Sequence, residues 1–148
     1  FSHRRQLATL ALGDVVVASA PIGLGLGRLG NFLNGELWGR VSDVPWAVIF
    51  PGAGPDPRHP SQLYEAILEG PVLFLCLWSL HRRNTPEGVP FFSFFLLYGV
   101  FRFMVEFVRQ PDAHLGFLWA GATMGQLLSV PMILFGVIGL LLLKRVQP

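Results

Sequence analysis

The sequence predicts an all-α, polytopic membrane protein with about four transmembrane helices and an outer-side loop region. Three observations carry that prediction. Apolar residues make up 52% of the 148 residues and charged residues only 14%, whereas soluble domains carry roughly a quarter charged. Mean hydropathy is positive, at +0.53. The apolar residues also gather into long segments: Leu7 to Gly27, Gln62 to Leu80, Val89 to Val108 and Leu115 to Leu143. Each is at or near the roughly 20 residues that cross a bilayer. In lipid every backbone polar group must be paired internally, which leaves helices as the spanning element. Residues 1–148 therefore read as a single integral membrane domain.

The first segment is interrupted by one charge, Asp14, and is loosened near its end by Pro21, Gly23, Gly25 and Gly27. Close helix packing is the favoured use of these glycines. The second segment carries Glu65 and Glu69 in its first half, with Ser61 as the expected N-cap. The third carries Arg102 and Glu106 late. The fourth has no charge, contains Pro131 as an expected kink, and places Gln126 near its start, suited to interhelical hydrogen bonds. Between the first two segments, Val41 to Pro60 contains PGAGPDPRHP, which is turn chemistry. The pairs Arg4–Arg5, Arg82–Arg83 and Lys144–Arg145 fall on one side of four crossings, and the positive-inside rule makes that side cytoplasmic. The Arg28–His59 and Arg109–His114 connections then lie outside.

Several function classes are disfavoured. A net charge of +2 with no basic run gives no reason to expect nucleic acid. The single cysteine, Cys76, sits inside an apolar run and reads as a small packing residue. No metal-ligand spacing occurs. The start, Ser2-His3-Arg4-Arg5-Gln6, leads directly into an apolar run and does not read as a signal peptide. A chain that begins at Phe1 is expected to lack an N-terminal portion.

The residues with chemical potential gather toward the outer ends of the segments. Gly27 to Arg40, GRLGNFLNGELWGR, sets Arg28, Asn31, Asn34, Glu36 and Arg40 among glycines. Arginine is a bidentate partner for phosphate, and glycine lets backbone N–H groups approach a ligand. The plainer alternative is an interfacial turn with snorkelling arginines. In the third segment Tyr98, Arg102, Glu106 and Arg109 are spaced by four, four and three, one polar stripe on a helix. It reads as a wall of an intramembrane cavity, or as an internal Arg102–Glu106 ion pair. Two arginines against one glutamate leave a positive excess that favours an anionic ligand. Glu65 and Glu69 are placed to balance Arg28 or Arg102, and His59 reads as a polar interface residue. A transporter component or a non-catalytic domain that binds anionic lipid would use similar features.

GRLGNFLNGELWGR, RHPSQLYEAILEG, YGVFRFMVEFVRQPD and TMGQLLSVPM, in that order, resemble the prolipoprotein diacylglyceryl transferases of bacteria. The resemblance implies a multi-pass enzyme of the bacterial inner membrane whose active site faces the outer leaflet and periplasm. Such an enzyme moves diacylglyceryl from phosphatidylglycerol to the lipobox cysteine thiol in a prolipoprotein signal peptide, and releases glycerol phosphate. Its partners are those two substrates and the lipid bilayer, with no metal or organic cofactor. The resemblance implies that Arg28 contacts the lipid phosphate, that Asn31, Glu36 and Gly39 serve the same site, and that Tyr98 and Arg102 are required, with Glu106 and Arg109 beside them. Arg28, Arg102, Glu36 and Tyr98 are the expected catalytic residues; Arg28, Asn31, Gly39, Arg102, Glu106 and Arg109 are expected to bind phosphatidylglycerol. Glu36 or Glu106 could assist proton removal or orient the arginines. Family members carry further spans upstream and a His-Gly-Gly stretch implicated in catalysis, which none of His3, His59, His81 and His114 matches. The chain is accordingly expected to be the C-terminal four-span portion.

Overall fold

The computed structural model describes residues 9–111 and 122–146. Arg4, Arg5, His3 and the His114 part of the second outer connection lie outside them. The described residues form a helical bundle of α1 (Thr9–Leu33), α2 (Ser61–Arg82), α3 (Val89–Val105) and α4 (Met124–Val146). Helices α1, α2 and α4 are long and apolar enough to span a bilayer, and α3 is a shorter apolar helix of 17 residues. No strand occurs among the described residues; isolated bridges tie Gly39 to Arg109 and Arg58 to Val41 and Val48.

α1 runs through Pro21 and the following glycines and stops only after Leu33. Its end is a Schellman motif: Gly35 N–H donates to Phe32 O at 3.0 Å and Glu36 N–H to Asn31 O at 3.0 Å, with Gly35 in the left-handed region at φ +65°. Arg28 and Asn31 are therefore helical and share a face. The chain returns through a short 3-10 turn, Pro51–Ala53, folded over the buried Phe50, which stacks on Trp38 and meets Phe32 edge-on.

α2 begins at Ser61, but Ser61 is not its side-chain cap: Ser61 Oγ donates to Leu37 O at 3.2 Å instead. The next residue repeats the motif, with Gln62 Nε2 donating to Glu36 O at 2.7 Å. Both polar side chains are fully buried and fasten the return loop to the helix. Midway, α2 widens into a π turn, Leu68–Val72. Pro71 has no N–H to donate there, and Gly70 takes a non-helical φ/ψ of −92°/−106°. At this turn α1 crosses. A Cβ added to Gly25 would lie 3.0 Å from Gly70 Cα, so Gly25 serves close packing at this crossing, as Gly13 does against Phe91 nearer the start of α1; Gly23, Gly27 and Gly30 face open space.

Asp14 is not an intrusive charge. Its carboxylate accepts hydrogen bonds from Gly88 N–H and Phe91 N–H, both 2.8 Å, and so caps the first turn of α3 from another helix. α3 and α4 meet through glycines: Gly99 faces Ile133 and the Ser129 carbonyl, and Gly136 faces Leu96. Phe91, Phe92, Phe95 and Phe135 form an aromatic cluster between them. Among the described residues Gln126 takes part in a capping box at the start of α4, and no interhelical bond from it occurs there. Gln126 Oε1 accepts from Thr123 N–H at 3.2 Å, and Thr123 Oγ1 accepts from Gln126 N–H at 3.3 Å. Pro131 lies inside α4 without interrupting it. The helices alternate in direction, so the C-terminal ends of α1 and α3 and the N-terminal ends of α2 and α4 share one end of the bundle.

Candidate active site

At that shared end the polar stripe is met by a second one from α2. Glu65 and Glu69 lie one turn apart on α2 and have side chains with no solvent exposure. Arg28 of α1 reaches both, with Nε 3.1 Å from Glu65 Oε2 and 3.0 Å from Glu69 Oε2. Arg102 of α3 pairs closely with Glu65 Oε1 and places its other nitrogen 3.2 Å from Glu106 Oε2. Arg109 Nη1 stands 3.5 Å from Glu65 Oε1. One buried carboxylate is thus shared by three guanidinium groups, one from α1 and two from α3 and the turn that follows it.

The stripe on α3 is shorter than its spacing suggests. The helix ends at Val105, with Glu106 as its C-cap, and Arg109 follows a turn held by Arg109 N–H to Val105 O at 3.0 Å. Arg109 still enters the network because its backbone bridges Gly39 and its carbonyl accepts from Arg40 Nε at 3.0 Å. The inferred positive excess also disappears. Arg28, Arg102 and Arg109 are matched by Glu65, Glu69 and Glu106, so the ion pairs among the described residues balance. In a low-dielectric environment that balance is what makes such charges tolerable.

Glu106 has a further anchor. Its carboxylate lies against Gly125 in the first turn of α4; an added Cβ there would fall 2.5 Å from Glu106 Oε2. A carboxylate at a helix N-terminus is favoured by the exposed N–H groups and the macrodipole, and only glycine leaves room for it here.

The remaining sequence-predicted residues divide into two groups. Tyr98 belongs to the cluster: it stacks on Phe94 and stands beside Arg28, Glu69 and Arg102. Asn31 lines a hollow of about 200 Å³ with Arg28, Gly23, Leu24 and Gly27, where the missing side chains of the glycines leave space beside the guanidinium. Glu36 is exposed and accepts from Asn34 Nδ2 at 3.3 Å; it takes no part in the ion pairs of the described residues. Gly39 is buried as backbone, since a Cβ would lie 2.5 Å from His59 O and 2.8 Å from Val108 O. It lets the return loop pass against the end of α3. Glu65 and Glu69, which spacing alone places as counter-charges, lie at the centre of the site. Gln62 and Gly125 carried no signal, because their roles depend on contacts across the bundle.

Next to the ion cluster, an apolar groove of about 320 Å³ runs between α1 and α2, lined by Pro21, Gly25, Leu29, Ala66, Gly70 and Phe74 among others. Half-buried arginines that can engage an anion, beside an apolar groove, form an arrangement suited to a lipid with a charged headgroup.

The motif order noted in the sequence is matched by family comparison: the family model described as prolipoprotein diacylglyceryl transferase covers residues 1–142. The chain belongs to that family. Among its curated relatives, one from Geobacter sulfurreducens is 58% identical over 144 residues, covering 97% of this chain and 55% of the relative. One from Aeromonas hydrophila is 57% identical over 136 residues, covering 92% and 50%. One from Shewanella sp. strain ANA-3 is 60% identical over 133 residues, covering 90% and 50%. All three are named phosphatidylglycerol–prolipoprotein diacylglyceryl transferase. The chain spans about half the length of these relatives. Family membership and the apolar helices make it a membrane protein.

Proposed function

We propose that this chain supplies the headgroup-binding part of an enzyme that transfers diacylglyceryl from phosphatidylglycerol to the lipobox cysteine of a prolipoprotein signal peptide. The observation that carries the reading is the convergence of Arg28, Arg102 and Arg109 on the single buried carboxylate of Glu65. Three guanidinium groups aimed at one pair of oxygens form a site that a phosphate can enter by replacing that carboxylate. Similarity to the named relatives supports the choice of phosphatidylglycerol and prolipoprotein as substrates.

On this reading Arg28 and Arg102 hold the phosphate oxygens and stabilise the negative charge that builds as the glyceryl C–O bond breaks. Such contacts are stronger in a water-poor site than in bulk water. Asn31, in the hollow with Arg28, offers hydrogen bonds to the headgroup, and Tyr98 supports Arg28. Glu106 and Arg109 keep Arg102 and Glu65 in register, Gly39 admits the return loop, and Glu36 serves from the loop rim. The arginine end of the bundle faces the outer leaflet of the bacterial inner membrane, where prolipoproteins emerge. The decisive experiment is Arg102→Lys in the intact protein that carries this sequence, assayed with labelled phosphatidylglycerol and a lipobox peptide. Lysine keeps the charge but loses the fork, and transfer is expected to fall about 100-fold. Normal turnover by that variant refutes the bidentate role.

A further inference from the structure

We infer that Glu69 is the base that takes the proton from the acceptor thiol, once phosphate has drawn Arg28 away from it. The inference rests on the transferase reading above and assigns to Glu69 a step for which the motifs of this chain offer Glu36 or Glu106.

The three carboxylates of the cluster are not equivalent. Glu65 is held by Arg28, Arg102 and Arg109. Glu106 is held by Arg102 and rests at the start of α4 against Gly125. Glu69 has one ion-pair partner among the described residues, Arg28, and only through Oε2. Its Oε1 is buried and has no hydrogen-bond partner among the described residues. Besides Arg28 and Glu65, the charged or titratable groups facing it are Arg102 and Tyr98 of α3.

Charge then decides the order of events. Among the described residues the ion-paired cluster holds three guanidinium groups against three carboxylates. A phosphodiester adds one negative charge, and one added proton restores neutrality. In a buried site an uncompensated charge is costly, so the bound lipid raises the cluster's demand for a proton. Phosphate held by Arg28 and Arg102 leaves Glu65 beside Arg109 and Glu106 at the start of α4 against Gly125, whereas Glu69 loses its one ion-pair partner among the described residues. The proton therefore goes to Glu69 Oε1.

The step balances. The thiol S–H bond breaks as an O–H bond forms on Glu69. The sulfur pair forms a bond to the glyceryl carbon that bears phosphate, and the C–O bond breaks with its electron pair on the phosphate oxygen. Glu69 then returns the proton to the departing glycerol phosphate and is a carboxylate again. No co-reactant is consumed.

The test compares a cysteine lipobox peptide with its selenocysteine analogue, which is already ionised at neutral pH and needs no base. In the intact protein Glu69→Gln is expected to lose about 100-fold or more in transfer to the thiol and to stay within a few-fold of the parent with the selenolate. Full thiol activity, or equal losses with both peptides in a variant that still binds phosphatidylglycerol vesicles, overturns the inference. Should Glu69→Gln not fold, Glu69→Asp decides. Its shorter arm withdraws the oxygen from the thiol, so the selenolate-to-thiol rate ratio is expected to rise, and an unchanged ratio counts against Glu69. A parent protein that releases no glycerol phosphate from phosphatidylglycerol would instead refute the transferase reading itself.

Discussion

Replacing Glu65 by glutamine tests the charge balance on which the site depends. The substitution keeps the shape of a fully buried side chain and removes one negative charge from among Arg28, Arg102 and Arg109. Three guanidinium groups then face only Glu69 and Glu106, an excess of one positive charge. Leaving a buried charge without its partner costs about 3–5 kcal/mol. Arg28 and Arg102 are only 17% and 16% exposed in their side chains, so water restores little of the lost pairing. The cost is expected as reduced stability of the intact protein in neutral detergent, followed by thermal or denaturant unfolding. Anionic phosphatidylglycerol should then stabilise the variant more than the parent, because a phosphodiester supplies the missing negative charge. Zwitterionic phosphatidylcholine, with no net charge to contribute, should not. A variant within about 1 kcal/mol of the parent, or one stabilised equally by both lipids, would refute the idea that Glu65 occupies the anion position.

Other consequences can be checked separately. Gly39→Ala puts a Cβ 2.5 Å from His59 O and 2.8 Å from Val108 O; overpacking of this kind costs about 1–3 kcal/mol, so unfolding should come earlier, and an unperturbed variant would return Gly39 to a direct ligand role. Asp14→Ala removes the cap on α3 and is expected to cost about 1–2 kcal/mol while transfer per folded molecule is unchanged, since Asp14 lies at the opposite end from the arginines. Cys76→Ser, at a half-buried site within α2, is expected to leave transfer at parental rates; an inactive variant would make the thiol a participant.

Much of the fold was legible because lipid imposes simple rules. Long apolar segments and few charges suffice to predict the helices, and three of the four segments indeed form helices of spanning length. Helix ends were less legible. Nothing in the run to Gly27 announced that α1 continues to Leu33, because the stop signal is Gly35 in a Schellman motif beyond the apolar run. Spacing put Tyr98, Arg102 and Glu106 on one face correctly. It failed for Arg109, which lies past the end of α3 and joins through a bridge to Gly39. Glu65 and Glu69 share a face by their own spacing, yet their importance arises from the Gly25–Gly70 crossing that swings Arg28 over them. No local pattern reports such a crossing. Asp14 shows the same limit: its partners are the Gly88 and Phe91 N–H groups of another helix.

A neutral cluster changes what selectivity at this site requires. Unpaired arginines would attract any anion, but at membrane depth they would also destabilise the folded chain. Here Arg28, Arg102 and Arg109 each already have a carboxylate, so a ligand gains only the difference between its own contacts and those it replaces. Glu65 is covalently tethered and loses little freedom in holding its position, which makes it a strong competitor. A replacement must therefore offer oxygens in a geometry matched to two guanidinium forks at once, as phosphate does. It must also lie alongside the helices, where the apolar groove between α1 and α2 can hold its hydrocarbon. A soluble phosphate satisfies the first condition and a neutral lipid the second. An anionic phospholipid satisfies both, so its headgroup and its chains must bind together for the exchange of carboxylate for phosphate to be favourable.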